Sequence, residues 1–323
     1  MSAGNPGTLA EIGTALVFGY AALRSRRGYH ESSHHEPTDT CKPADGVVRG
    51  QLCTPAGPCL SIYVVRGFKW LLVALTLIVA AGGATAAHAS ADPNALWTIV
   101  HDQCVPDQEA SSDPAPCSLV DLNAGKRRGY AVLKDLVGAT QFLVIPTDRI
   151  SGIESPTLLE PDATNYFAAA WHASSFVDAR AGVDIPRDWM SLAVNSAVAR
   201  TQNQFHIHVD CVRADVRESL SRHIADVGSD WAPFPEPLTG HSYLAMAVAG
   251  ETLDATNPVQ LLADRVDDMG LETLVVVGTY LRNGQPGFIL LAGRADPATG
   301  NRGAGEELQD HTACPPPRGE WAK

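Results

Sequence analysis

The run Arg200-Thr-Gln-Asn-Gln-Phe-His-Ile-His-Val-Asp-Cys211 holds the side chains best suited to chemistry. Gln204, His206 and His208 alternate there with Phe205, Ile207 and Val209. Period two is the strand period, so one face would bury the apolar set while the other presents an amide and two imidazoles in a row. Three chemistries fit. A neutral imidazole held against a strand can attack phosphorus and form a covalent phospho- or nucleotidyl-histidine. The second imidazole would then serve the leaving oxygen, and Gln204 would donate to a non-bridging oxygen. Arg200, Arg213 or Lys134 would add electrostatic support. Alternatively, His-x-His on a strand supplies two metal ligands, with Asp210 as a third and His241 or His311 as distant ones. Cys211 then stands where a His-x-His-x-Asp-His metal-hydrolase motif needs its next histidine. In the third reading both histidines are only hydrogen-bonded within a sheet.

The elements that must position this row read as follows. Asn94–Val105 has helical spacing, and a loop rich in Asp, Ser and Pro follows over Pro106–Pro116. Tyr130–Leu136 and Gln141–Ile145 form a hairpin. A helix capped by Asp162 runs to about Arg180 and stops at Gly182. Ser191–Asn195 pairs with Gln204–Val212 and brings Asn195 and Ser196 near the imidazoles. A helix leads from Arg213 to about Val227, and a short one covers Val259–Val266. Leu271–Leu281 and Gly287–Leu291 make a hairpin turning at Asn283-Gly284, and Gly305–His311 is a last helical turn. The class is α+β, with a mainly antiparallel sheet and flanking helices, and the order hints at an internal duplication. No Gly-rich nucleotide loop is present.

The net charge of −12 over 323 residues excludes a nucleic-acid binder that relies on a basic field. Arg66-Gly-Phe-Lys69 precedes an apolar run from Trp70 that ends at Ala87-His-Ala89, the layout of a signal peptide. Counted through its alanines the run reaches about 20 residues, enough for a membrane anchor. Either way residues 90–323 lie outside the cytoplasm. Residues 1–65 read as a misassigned start or a disordered tail. Beyond the apolar run stand Cys104, Cys117, Cys211 and Cys314, an even number that suggests two disulfides in an exported domain. The local pair Cys104–Cys117 leaves Cys211 to join Cys314.

The stretch from Ser191 through Arg217 resembles the CDP-diacylglycerol pyrophosphatase family, a membrane-associated branch of the histidine-triad superfamily. Val132-Leu-Lys-Asp-Leu, Val144-Ile-Pro-Thr, Gly152-Ile-Glu-Ser-Pro, Gly240-His-Ser-Tyr-Leu-Ala and Gln309-Asp-His-Thr-Ala-Cys314 extend the resemblance over about residues 94–314. It implies a histidine-triad-like fold in which Gln204, His206 and His208 occupy the triad positions. His206 is then the implied nucleophile, and Gln204 departs from the histidine expected first. The alternative register makes His208 the nucleophile and Asp210 the third member. The implied reaction is hydrolysis of CDP-diacylglycerol to CMP and phosphatidic acid, with no metal needed as a nucleophile source and no cofactor. Asn195 and Thr201 become substrate contacts by their place in the hairpin, beside Gln204, Lys134 and Arg213. An N-terminal anchor in the plasma or inner membrane suits an insoluble lipid substrate. The blander roles are a solvated edge for Lys134, ion pairs of Arg213 and Arg217 with Asp210 and Asp215, and a structural place for His311. The other readings of the chain are a metal-dependent phosphoesterase using His206, His208 and Asp210, and an exported nucleotide- or lipid-binding protein.

Overall fold

Short apolar runs, most of them buried on both faces, become the strands of one open antiparallel sheet. They are β1 (Leu119–Asp121), β2 (Tyr130–Lys134), β3 (Phe142–Pro146), β4 (Met190–Val194), β5 (Ile207–Cys211), β6 (Ala232–Pro233), β7 (Tyr243–Ala249), β8 (Glu272–Tyr280) and β9 (Pro286–Arg294). The computed structural model describes residues 92–316, together with 51–52, 60–61 and 319. The chain divides into two compact units, Met1–Ala86 and Ala87–Lys323. In the first, the described residues form a two-residue antiparallel pairing, Gln51 with Ser61 and Leu52 with Leu60. The anchor or signal expected over 66–89 lies outside the described residues, as does most of 1–65. Among the described residues no helix is long and apolar enough to cross a membrane.

The sheet order is β1-β2-β3-β5-β4-β8-β9-β7-β6. The expected hairpins β2–β3, β4–β5 and β8–β9 all form. Beyond them, β5 inserts between β3 and β4, so that His208 faces Leu143 on one side and Ala193 on the other. Directly opposed residues share a face of the sheet. This places the imidazole row on the face of Leu143 and Ala193.

The two halves of the sheet repeat one another. Outward from the central β4–β8 pair, one half runs β4-β5-β3-β2 and the other β8-β9-β7-β6. A helix separates β3 from β4 and another separates β7 from β8, and a 3-10 turn opens each inner strand, Arg187–Trp189 and Met269–Leu271. The fourth residues of the inner strands, Ala193 and Val275, face His208 and Leu291. In this correspondence the buried Phe205 matches the buried Phe288, while Ile289 and Leu291 stand where His206 and His208 do. The duplication is therefore one of topology, and only one half carries imidazoles.

Helix α1 (Ala95–Ile99), a π-helical stretch (Val100–Cys104) and α2 (Val105–Ser111) run as one continuous rod. The rod passes beyond the expected end at Val105, and Pro106 comes just after the π-helical stretch, where the regular i→i−4 ladder is already interrupted. It covers the Leu143 face at one end of the sheet, packing Val100, Cys104 and Val105 on Ala131, Leu133, Leu143 and Ile145. Helix α3 (Tyr166–Ala181) covers the opposite face, where Phe167, Ala170 and Val177 join Val144, Ile207 and Val209. Its cap is Asn165, whose side chain accepts from the Ala168 amide, rather than Asp162, which pairs with Arg128. Gly182 ends it in the left-handed conformation, as its position suggested. Helices α4 (Ala214–His223) and α5 (Pro258–Ala263) complete the shell. Both expected disulfides, Cys104–Cys117 and Cys211–Cys314, are present.

Candidate active site

Strand β5 begins at Ile207, three residues later than the alternation suggested, so Gln204 and His206 lie on the approach to it. The row survives this difference. The His206 and His208 rings meet edge to face, with centroids 4.8 Å apart. Both are buried, and His206 keeps 9 % of its surface exposed.

The Nδ1–H of His206 donates to the Gln204 carbonyl at 2.7 Å. That bond fixes the tautomer and leaves the lone pair on Nε2. Burial first, then the neighbouring His208, lowers the His206 pKa to about 4, so the ring is neutral near pH 7. On His208, Nδ1 accepts from the Gln141 amide at 2.8 Å, which leaves the hydrogen on Nε2. Burial, followed by the charge of His311, lowers the His208 pKa to about 3. The carboxylates of Glu306 and Asp135 lie 3.5 and 3.9 Å from the same Nδ1.

A C-terminal strap completes the site. The 3-10 turn Gly305–Leu308 lies over the inner strands, where Gly305 fits because a Cβ there would stand 2.4 Å from Thr273 Oγ1. Glu306 is oriented by Asn195, whose amide donates to Oε1 at 2.8 Å. Gln309 donates to the Ser191 and His208 carbonyls at 3.2 Å each, and Asp310 N–H donates to the Cys211 carbonyl at 3.0 Å. His311 then meets the fully buried Asp210 at 2.9 Å. That hydrogen bond to Asp210 outweighs partial burial and raises the His311 pKa. The Cys211–Cys314 disulfide fastens the strap to β5.

Six buried side-chain polar atoms among the described residues lack a partner, and four surround this row: Gln141 Oε1, Gln204 Oε1, His208 Nε2 and Gln309 Oε1. Buried polar atoms are normally satisfied, so this concentration singles out the row among the described residues. Beside it, Arg213, Thr239, Glu306, Glu307, Gln309 and His311 line an open cavity of about 640 Å³.

The other expected site residues are distributed unevenly. The Gln204 amide donates to the Pro146 and Asp148 carbonyls at 3.0 and 2.8 Å, so its free atom is an acceptor rather than a donor. Asn195 acts on the row through Glu306. Lys134 donates to the Asp135 and Gly138 carbonyls at 2.6 and 2.9 Å, and burial lowers its pKa. Arg213 reaches the cavity wall but is bidentate to Asp215, at 3.0 and 2.9 Å. Thr201 is exposed on the loop before β5, and no bond ties it to the row. Arg200 is held by Glu154 at 2.7 Å. Arg217 takes Asp188, at 2.9 Å.

The alphabet of the sequence had not pointed to Gln141, Asp135 or Glu306, and had given His311 a structural place. Gln141 had a signal, since it directly precedes β3, the strand beside β5, two residues before Leu143. Glu306 had none of its own, because its segment reaches the sheet through long-range contacts, the Asn195, Gln309 and His311 hydrogen bonds and the Cys211–Cys314 bridge. A metal set of His206, His208 and Asp210 is not assembled. The Asp210 oxygens are taken by His311 and by Thr140, and the group of metal-type donors among the described residues is Asp210 with two cysteines joined to each other.

A family model described as CDH: CDP-diacylglycerol pyrophosphatase matches residues 91–315. The match takes in every strand of the sheet, the imidazole row, the strap and both disulfides. The chain belongs to the CDP-diacylglycerol pyrophosphatase family, hydrolases that cut the pyrophosphate bond of that lipid nucleotide.

Proposed function

We propose that the chain hydrolyses CDP-diacylglycerol to CMP and phosphatidic acid through a cytidylyl-histidine on His206. The observation that carries this reading is the 2.7 Å bond from His206 Nδ1 to the Gln204 carbonyl, which turns the Nε2 lone pair of a neutral ring outward from its anchor. Nε2 attacks the cytidylyl phosphorus, and the bridging P–O bond breaks with its electrons on phosphatidate. A phosphate monoester has a second pKa near 6, so the leaving oxygen needs a hydrogen bond more than a full proton. The unpaired Nε2–H of His208 supplies that bond. The imidazolium formed at His206 keeps its Nδ1–H on the Gln204 carbonyl. Water then attacks phosphorus, the P–N bond breaks, CMP leaves and His206 recovers its lone pair. Glu306 or Asp135, the carboxylates beside the imidazole row, takes the water's proton.

In this reading the substrate is drawn from a membrane in phospholipid metabolism, and residues 66–89 hold the domain at the extracytoplasmic face. The test is hydrolysis by the full chain, wild type beside His206→Ala, with and without EDTA. CMP and phosphatidic acid from wild type alone, unchanged by EDTA, is the expected result. Loss of wild-type activity on chelation would replace this reading with a metal centre.

A further inference from the structure

The loop between β2 and β3 carries two consecutive apolar side chains into solvent. Leu136 is fully exposed, at 102 % of its reference area, and Val137 is 57 % exposed. They are two of four large hydrophobic residues exposed among the described residues, and the other two, Leu159 and Tyr280, stand apart in sequence. An isolated exposed Leu needs no explanation. This pair is different because of what holds it.

The loop is built from site residues at both ends. Asp135, directly before Leu136, lies 3.9 Å from His208 Nδ1. Thr140 donates to Asp210 at 3.2 Å, and Gln141 bonds His208. Gly138 takes a positive φ of 69° and packs on His311, where a Cβ would stand 3.3 Å from the His311 carbonyl oxygen. Lys134 clamps the loop through the Asp135 and Gly138 carbonyls, and Arg180 donates to the Ala139 carbonyl at 3.2 Å. The tip is thus fixed and apolar, with the exposed Arg180 beside it. Successive Cα atoms are about 3.8 Å apart, so Leu136 sits one step from a residue that touches the imidazole row.

We infer that Leu136 and Val137 are the element by which the site docks on a lipid bilayer, entering its interface while the exposed Arg180 beside them faces anionic headgroups. A two-residue tip is too small for a stable protein interface, which takes roughly 800 Å² per partner. It suits insertion of one or two side chains beside an electrostatic contact. The placement delivers a lipid headgroup to His206 and His208 while its acyl chains stay in the membrane. The inference rests on the proposed reaction and adds the surface through which the substrate is reached.

The experiment compares the full chain, wild type and Leu136→Ser/Val137→Ser, on two substrates. One is CDP-dioleoylglycerol in vesicles containing phosphatidylglycerol, and the other is a short-chain CDP-diacylglycerol below its critical micelle concentration. The expected result is a loss of about tenfold or more on vesicles, with activity on the soluble substrate within about twofold of wild type. Leu136→Ile/Val137→Ile should behave as wild type on both. An unchanged ratio between the substrates would overturn the inference. Equal losses on both would overturn it too, making the tip part of the site's framework. Absence of wild-type turnover on both substrates would instead remove the proposed reaction, and the docking inference with it.

Discussion

Acid is the perturbation that separates this imidazole row from an ordinary histidine. An unperturbed imidazole, with a pKa near 6.5, is only about 3 % neutral at pH 5. Burial and the neighbour His208 hold His206 at about 4, so about 90 % of it stays neutral there. A reaction that needs the His206 lone pair should therefore keep nearly all of its kcat/KM from pH 7 down to pH 5. It should be about thirtyfold faster at pH 5 than a histidine of ordinary pKa would allow. The assay is CMP release at subsaturating soluble substrate from pH 4 to pH 8, since kcat/KM reports the free enzyme. The same burial makes the fold weaker in acid. The unfolded chain binds protons near pH 6.5, while the folded rings resist to about 4 and 3, so stability present above 6.5 is lost as the pH falls. Each ring contributes about 1.4 kcal/mol per pH unit in that window. Circular dichroism at each pH must accompany the rates. An acid limb centred near 6.5 in folded protein would refute the reasoning.

Asp210→Asn should destabilise the domain by about 2 to 3 kcal/mol in thermal unfolding, less than for a wholly buried pair because His311 keeps a quarter of its side chain in solvent. The wild type should also lose stability as the pH rises above 6.5 through the raised pKa of His311, and the variant should not. Cys314→Ala opens a bridge between residues 103 apart, which should cost about 2 to 5 kcal/mol by denaturant titration and lower kcat by freeing the strap. Gly305→Val should lower kcat about tenfold with the fold retained by circular dichroism, because its side chain would collide with Thr273 and Val275 and lift Glu306 from His208.

The sheet was legible because its strands obey a local rule. Val132, Val144, Leu192 and Val209 alternate with residues of the other face, and the turns between them carry Gly, Asn or Asp. The imidazole row was legible for the same reason. The rod from Ala95 to Ser111 was read short because Pro106–Pro116 is rich in Asp, Ser and Pro, a loop composition, whereas its first residues continue the helix beyond the π-helical stretch. The strap was the least visible part. Glu306 and His311 are about a hundred residues from the row in sequence, and long-range hydrogen bonds, a disulfide and a Gly-sized gap bring them onto it. Lys134 and Arg213 were sought as phosphate contacts on charge alone, and charge says nothing of the carbonyls and carboxylates that hold them. The repeated topology was faint in sequence because Ile289 and Leu291 preserve the packing of the second half without its imidazoles.

The central claim is a covalent bond between His206 and the cytidylyl phosphorus. The stereochemical course at that phosphorus tests it most directly. One diastereomer of CDP-diacylglycerol with sulfur on the cytidylyl phosphorus would be hydrolysed in ¹⁸O-water, and the configuration of the resulting thio-CMP determined. Two successive in-line displacements, the first by His206 and the second by water, predict net retention. Net inversion would mean that water attacks the substrate directly, and would contradict the account.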